Sequence, residues 1–349
     1  MPTKTFINRV LLIFLFAGFN IVAFNQVIEG TVYEIGTDSV ISSSAIYFDG
    51  AFVGTLADKN GHFKLDITKY ASMPLIVSSI GYYSVTLTNY RTDKTLKIYL
   101  TPKMYEMNEV VISSKPLFKE RKAYLKLFKD EFLGTTYNAQ NCDIINENDI
   151  SFNYDSCQDT LRAFTSNPLI IINRALGYKI TYYLDKFEYD RRSRSFIFVG
   201  NLIFNEDMNR DKTNKNMSSM MYEKRRYSAY LGSRMHFFRA LWKDDLAEEG
   251  FSVRNSDEKF LHYKDIVRQE DIRQPDSPNR DLKYIIYSGD IKIYYNDELS
   301  TMIILKPKVY FNKDGKYDNM AIIWEGEMIE KRIGDMLPDV YIESYNSNR

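Results

Sequence analysis

Three histidines are the scarcest chemical resource in the chain, and each sits in a different setting. His262-Tyr263-Lys264-Asp265 is the one H-x-x-acid match; zinc carboxypeptidases use this spacing with Glu where Asp stands here. His62 has Leu65 at the third place and His236 has Arg239. A three-ligand zinc site would have to gather all three rings from separate segments. H-E-x-x-H, G-x-S-x-G, G-x-x-x-x-G-K-[ST] and G-x-G-x-x-G are absent. Ser233 precedes His236 by one helical turn, a pairing open to acyl-transfer chemistry if an acid completes it. The same spacing is that of a helix N-cap with a histidine in the first turn. Asp244-Asp245 and Glu248-Glu249 are paired carboxylates, the raw material of glycoside hydrolysis only if the fold sets them across a cleft. On a helix they read as a solvated face. No catalytic residue, metal ligand or cofactor is therefore assigned, and the chain reads as a non-enzyme.

Two cysteines, Cys142 and Cys157, lie in one polar stretch. A bridge between them would close a loop of about 15 residues, worth roughly 3 kcal/mol in the chain-entropy picture. The expectation of a bridge depends on export. Residues 1–25 carry Lys4 and Arg9, then the apolar run Val10–Phe19, then Ile21-Val22-Ala23 with a small residue at a possible cleavage point, so that the mature sequence would start near Gln26. That is the layout of a secretory signal peptide, and the run is too short for a spanning helix, which needs about 20 apolar residues. Loss of residues 1–25 leaves 44 basic against 46 acidic side chains. The mature chain has no basic field for nucleic acid and no integral membrane span.

These residues need elements to hold them. The chain has 349 residues, enough for two domains. Tyr 27, Phe 22 and Trp 2 make 15% of it, a bias toward pleated surfaces. Residues 26–113 show short strands at near-regular spacing: Val27–Tyr33, Ala45–Phe48, Phe52–Ala57, His62–Ile67, Leu75–Ser79, Tyr83–Thr88, Thr95–Leu100 and Glu109–Ile112. This is the pattern of a β-sandwich. Asp58-Lys59-Asn60-Gly61 is a turn, with Asp opening it and Gly at the left-handed position; Asp58 and Asn60 lack the further oxygens of a calcium loop.

After Ser113–Pro116 the period changes. Leu117–Leu133 is an amphipathic helix with Tyr124, Leu125, Phe128 and Phe132 on one face and Gly134 as its stop. Residues 142–158 and 206–226 read as polar loops. Leu161–Thr165 and Pro168–Asn173 lead into a hairpin of Tyr178–Tyr189 and Ser195–Asn205, turned by the basic run Asp190–Arg194. A second helix is expected from Ser233 to Glu249, and residues 255–281, with Pro275 and Pro278, read as a loop. Strands follow at Leu282–Tyr287, Asp290–Tyr295, Ser300–Leu305, Lys308–Asn312 and Met320–Glu327. Asn312-Lys313-Asp314-Gly315 repeats the turn chemistry of Asp58–Gly61. The fold class expected is mainly β: an N-terminal seven-stranded sandwich over 26–113 and a larger antiparallel β-rich α+β domain over 117–349 with at least two helices.

Ile28-Glu29-Gly30-Thr31-Val32, Ala45-Ile46-Tyr47-Phe48, Gly54-Thr55, Asp58-x-x-Gly61-x-Phe63, Val77-Ser78-Ser79-Ile80-Gly81-Tyr82 and Glu109-Val110-Val111-Ile112, in that order, resemble the carboxypeptidase regulatory-like domain. The resemblance implies a transthyretin-like sandwich without catalysis of its own, in an exported protein of the Gram-negative envelope. Such domains often precede TonB-dependent receptors, but only 237 residues follow Ile112, too few for a plug and a 22-stranded barrel. Phe132-Leu133-Gly134, Pro168-Leu169-Ile170, Leu176-Gly177-Tyr178, Tyr230-Leu231-Gly232-Ser233 with His236-Phe237, and Asp335-x-Leu337-Pro338 resemble a region that accompanies such sandwiches in exported proteins; this implies no activity. The expected role is a periplasmic or surface binding scaffold whose partner is a protein, peptide or glycan of the envelope. The alternatives are an exported hydrolase (peptidase or glycosidase) with the sandwich as accessory, or a helper of a TonB-dependent uptake system.

Overall fold

Backbone pairing sorts the chain into three bodies, each with its own apolar core. The structure is a computed structural model that describes residues 26–48, 50–51, 54–68, 74–87, 90, 94–103, 118–207, 219–269 and 282–342. The expected signal segment, the strand Glu109–Ile112, the linker Ser113–Pro116 and the prolines at 275 and 278 lie outside the described residues.

The first body contains β1 (Val27–Glu34), β2 (Ala45–Phe48), β3 (Gly54–Leu56), β4 (His62–Asp66), β5 (Leu75–Ser78), β6 (Val85–Leu87) and β7 (Leu96–Leu100). Two sheets, β4-β1-β7 and β3-β2-β5-β6, face each other, as the period-two pattern requires. Strand β4 alternates exposed and buried residues, so one of its faces meets solvent. Strands β2 (AIYF) and β5 (LIVS) do not alternate and are buried on both faces. Ile46, Phe48, Leu75 and Val77 fill the sandwich, while Ala45, Tyr47 and Ile76 belong to a separate cluster outside it.

The second body opens with α1 (Phe118–Phe132) and α2 (Tyr137–Gln140). It continues through β8 (Cys142–Ile144), β9 (Ile150–Asp155), β10 (Thr160–Thr165), β11 (Leu169–Asn173), β12 (Tyr178–Asp190) and β13 (Ser195–Glu206), then α3 (Ser219–Tyr230). Helix α1 lays Phe128 and Phe132, both fully buried, across the sheet, where their rings meet Phe187, Tyr182 and Phe198. The β12–β13 hairpin is the long one expected. Its basic turn is engaged: Arg191 pairs with Asp159 and lies over the Tyr154 ring, and Arg192 donates to the Cys157 carbonyl.

Three expectations are corrected here. The polar stretch 142–158 holds β8 and β9, which are short edge segments carrying few apolar residues. The polar stretch 206–226 runs into α3, whose buried residues Tyr222, Arg226, Ala229 and Tyr230 keep helical spacing. The apolar period is broken there by a buried arginine, which donates through Nε and Nη1 to the Leu176 carbonyl, Glu206 and Glu223, leaves Nη2 without an acceptor among the described residues, and stacks 4.2 Å from the Tyr178 ring. The Cys142–Cys157 bridge does not form; both thiols are free. Cys142 aligns through Asn173 with Tyr178 at one end of β12, and Cys157 lies in the β9–β10 turn beside Asp190 at the other. The 13 residues of β12 hold the two apart by about 40 Å.

The third body contains α4 (Arg234–Lys243), β14 (Phe251–Arg254), α5 (Tyr263–Ile266), β15 (Val267–Gln269), β16 (Lys283–Ile285), β17 (Asp290–Tyr295), β18 (Glu298–Ile304), β19 (Val309–Phe311), β20 (Ile322–Gly326) and α6 (Glu327–Glu330). Sheets β14-β17-β18-β20 and β15-β16-β19 share a core with α4. The second helix ends at Lys243, not Glu249: Asp244 takes a left-handed conformation (φ 65°) and the chain folds back. The expected loop 255–281 contains α5 and β15.

The Asp58 turn chemistry recurs twice. Asp58, Asn255 and Asn312 each accept, through one side-chain oxygen, the backbone N–H groups two and four residues on. The residue three places on is left-handed each time: Gly61, Glu258 and Gly315. The Asn312 copy follows the sequence expectation, and the Asn255 copy lacks the glycine that would have marked it.

Candidate functional site

The candidate catalytic residues are dispersed. His62 lies on β4 of the sandwich, where Nδ1 meets the Thr31 hydroxyl at 2.8 Å. His262 is the N-cap of α5, and Asp265 accepts its backbone N–H. His236 is buried in α4. Its Nδ1 accepts the Gly232 N–H at 3.1 Å, so Nε2 carries the proton and donates to Glu249 at 3.1 Å. Ser233 caps the helix by accepting the His236 N–H. A triad needs a ring nitrogen free to take the serine proton, and here Nδ1 is occupied by a backbone donor. Of the paired carboxylates, Glu249 serves His236 and Asp244 serves as the helix C-cap. Among the described residues no group of three or more His, Cys, Asp or Glu is placed to hold a metal ion. No helix among them is long and apolar enough to cross a membrane.

What the residues do build is a mount and an open cleft. The outer face of β2 and β5 lies against β12 and β13: the Tyr47 and Tyr183 rings stack at 5.3 Å, and Ala45 and Ile76 pack with Ile203. The turn after β2 adds backbone pairing, with Gly50 donating to the Leu202 carbonyl at 3.0 Å and Phe204 to the Ala51 carbonyl at 3.1 Å. The β13 edge is thus extended by two residues of the sandwich. Lys103 and Asp185, both mostly buried, form an ion pair at 2.9 Å across the same joint.

The C-terminal segment ties all three bodies. Lys331 donates to the Ala229 and Leu231 carbonyls at the end of α3, and Arg332 to the Asp130 and Glu131 carbonyls at the end of α1. Two neighbouring cations thereby complement two helix C-termini. Asp335 accepts from Thr136 and Asn138 at 2.6 and 2.7 Å, and burial holds its carboxyl above the usual range. Arg239 of α4 grips the Asp339 and Tyr341 carbonyls, and Asp339 N–H donates to the Gly50 carbonyl. The motif Asp335-x-Leu337-Pro338 is therefore a strap, a role its spacing alone did not disclose.

At the other end of β2 the sandwich is open. Val40, Ile41, Ser42 and Ser43 face Ser79, Ile80 and Tyr82 across a cleft of about 330 Å³. Ile80 is 58% exposed and Val40 48%, so the cleft has apolar side chains open to solvent at its rim. Gly81 supplies the bend with φ 82°, and Tyr82 donates to Glu34 at 2.5 Å. That bond, helped by burial and by the Glu34 charge, pushes the Tyr82 hydroxyl up from its ordinary value. Ser43, at the cleft wall, holds a left-handed conformation (φ 57°) that a non-glycine residue adopts at a cost of about 1–2 kcal/mol. The motif Val77–Tyr82 thus divides its labour: Val77 packs the core, Ser78 links the Tyr47 and Ser84 hydroxyls, and Ile80 is left at the surface.

Residues 28–112 match the family described as the CarboxypepD_reg-like domain. This is about a quarter of the chain and coincides with the first body. Comparison with curated proteins gives no match.

Proposed function

We propose that the protein is an exported, non-catalytic binding scaffold in which the sandwich presents its open cleft to a protein or peptide partner. The observation that carries the reading is the division of the sandwich surface. Its outer β2–β5 face is spent inside the molecule, while motif residue Ile80 stands exposed beside Val40 at the free end. A module that matches a regulatory-like domain and is mounted rigidly by one face is suited to presenting the other end at a fixed attitude. Export follows from the layout of residues 1–25, and N-terminal sequencing of envelope material is expected to start near Gln26.

The test is selection of a displayed random-peptide library on the purified chain. Peptides with an apolar anchor are expected, and Ile80→Asp and Val40→Asp are expected to abolish their binding. Enriched peptides that ignore both substitutions would remove the cleft from the reading. Turnover of a peptide or sugar substrate, abolished by a change at His236, His262 or Asp265, would replace it with the hydrolase.

A further inference from the structure

The outer face of the sheet β14-β17-β18-β20 carries three cross-strand rows. The central row runs Arg254, Lys292, Thr301, Glu325 across the four strands. One flanking row is Ser252, Tyr294, Leu299, and the other is Asp290, Ile303, Ile323. Inner residues of the same strands, such as Val253, Ile291, Met302 and Trp324, are buried in the third core, so the rows above are the outward set. An antiparallel sheet facing only water should present polar residues there. Instead Leu299 is 39% exposed and Ile323 48%, with Leu305 at 54% and Phe260 at 64% on the margins.

The charges are separated along the central row. Arg254 lies between the Phe260 and Tyr294 rings, 4.6 and 5.0 Å from their centroids, and its Nε has no acceptor among the described residues. Lys292 joins it, and Glu258 neutralises one of the two cations. This end of the row gathers two cations, with Glu258 between them and the Asp257 charge also acting on Lys292, while the β20 end carries Glu325. Aromatic residues and arginine beside exposed aliphatics are the composition of an interface centre.

We infer that this face is an isologous interface between two copies of the chain. A two-fold axis parallel to the strands, between β17 and β18, lays β14 over β20 of the other copy and β17 over β18. The end of each row that gathers the two cations then meets the acidic end of the other, Arg254 against Glu325 of the partner subunit. Tyr294 meets Leu299 of the partner subunit. Each contact occurs twice, as a closed dimer requires. Asp290, at the start of β17, falls at the margin, where the twist of packed sheets splays them apart. The inference rests on the third body alone and stands whether or not the sandwich cleft takes a peptide.

Sedimentation velocity and light scattering of the full chain test it. The wild type is expected to be a dimer at about 100 µM, weakened by high salt. Arg254→Glu and Glu325→Arg each set like charges opposite and are expected to raise the dissociation constant about tenfold or more. The two together restore the pairing with reversed polarity and are expected to return it to within a few-fold of wild type. Far-UV circular dichroism and the thermal midpoint confirm that each variant is folded, since all the changed side chains lie outside the cores. A monomeric wild type at that concentration overturns the inference. So does a dimer indifferent to the single changes, or a double variant no tighter than the singles.

Discussion

Two four-stranded antiparallel sheets in this molecule expose their outer faces to different fates. The outer face of β2 and β5, the two central strands of β3-β2-β5-β6, is closed over by β12 and β13, leaving Ala45, Tyr47 and Ile76 at 4%, 0% and 3% exposure, while Leu56 on the β3 edge stays 65% exposed. The outer face of β14-β17-β18-β20 has no such cover within the described chain. The difference is written in the strands. AIYF and LIVS are apolar at every step or nearly so, as strands covered on both sides must be. DIKIYY and ELSTMII mix charged and hydroxyl residues into the outward positions, so that face tolerates water while keeping apolar footholds.

The largest test of this contrast is Tyr47→Ala. It removes a fully buried ring, its stack on Tyr183 and its bond to Ser78, and is expected to cost about 3–5 kcal/mol in urea unfolding. Leu299→Ser on the open face is expected to stay within about 0.5–1 kcal/mol for the monomer. Equal costs at the two positions would break the comparison. Gly50→Ala should come next, at about 1–3 kcal/mol. Gly50 has φ 70°, and a Cβ there would lie 2.6 Å from the Asp339 carboxylate. Hydrogen exchange is expected to show loss of protection centred on the joint, at Leu202–Phe204, with the sandwich core retained.

The strap gives the covered side a pH signature opposite in sign to that of the open face, where the Lys292 hydrogen bond holds the Glu258 carboxyl below its usual range. Burial raises the Asp335 carboxyl, so the folded chain holds that proton more tightly than the unfolded chain, whose carboxyl titrates near 3.9. Stability from this group is therefore full below that value and is lost as pH rises through the raised one. Unfolding midpoints of wild type are expected to fall relative to Asp335→Asn across that acid window. A constant difference between the two would show that Asp335 titrates normally.

How far the sequence disclosed this architecture depended on whether a signal was local. The Asp58 and Asn312 turns were legible because glycine marks the left-handed position; the Asn255 turn was hidden because Glu258 occupies it. Helix α1 was legible from its period, whereas α3 was masked by Arg226 at a buried position. The cleft residues fell inside a recognisable motif, but their exposure could not be foreseen, because it depends on which face the mount consumes. The strap was least legible: Asp335 and Asp339 act on Thr136, Asn138 and Gly50, partners about 200 and 290 residues away, and no period records that.

The three matching turns separate local from regional effects. Asp58→Ala, Asn255→Ala and Asn312→Ala each strand two backbone donors that one side-chain oxygen satisfied, and each is expected to cost about 1 kcal/mol. One turn lies in the covered sandwich and two in the body with the open face. Similar values would assign the contrast between those regions to their faces and not to their loops.

The smallest effects are expected from the ion pairs, and they sharpen the comparison because the same chemistry appears on both sides of it. Lys103–Asp185 sits in the joint with each side chain 19% exposed, while Lys292–Glu258 stands on the open face at 28% and 44%. Water screens the second pair well, so Lys292→Met is expected to leave the urea unfolding midpoint essentially unchanged. Lys103→Met leaves Asp185 facing the joint without its cation and is expected to cost about 1–2 kcal/mol. Adding Asp185→Leu should recover most of that loss, because two apolar groups of similar size leave no charge stranded. A Lys103→Met variant as mild as Lys292→Met would mean that the joint is wet, and the covered face would then owe its hold to the Tyr47 stack, the packing of Ala45 and Ile76 on Ile203, and the backbone bonds of Gly50 and Ala51.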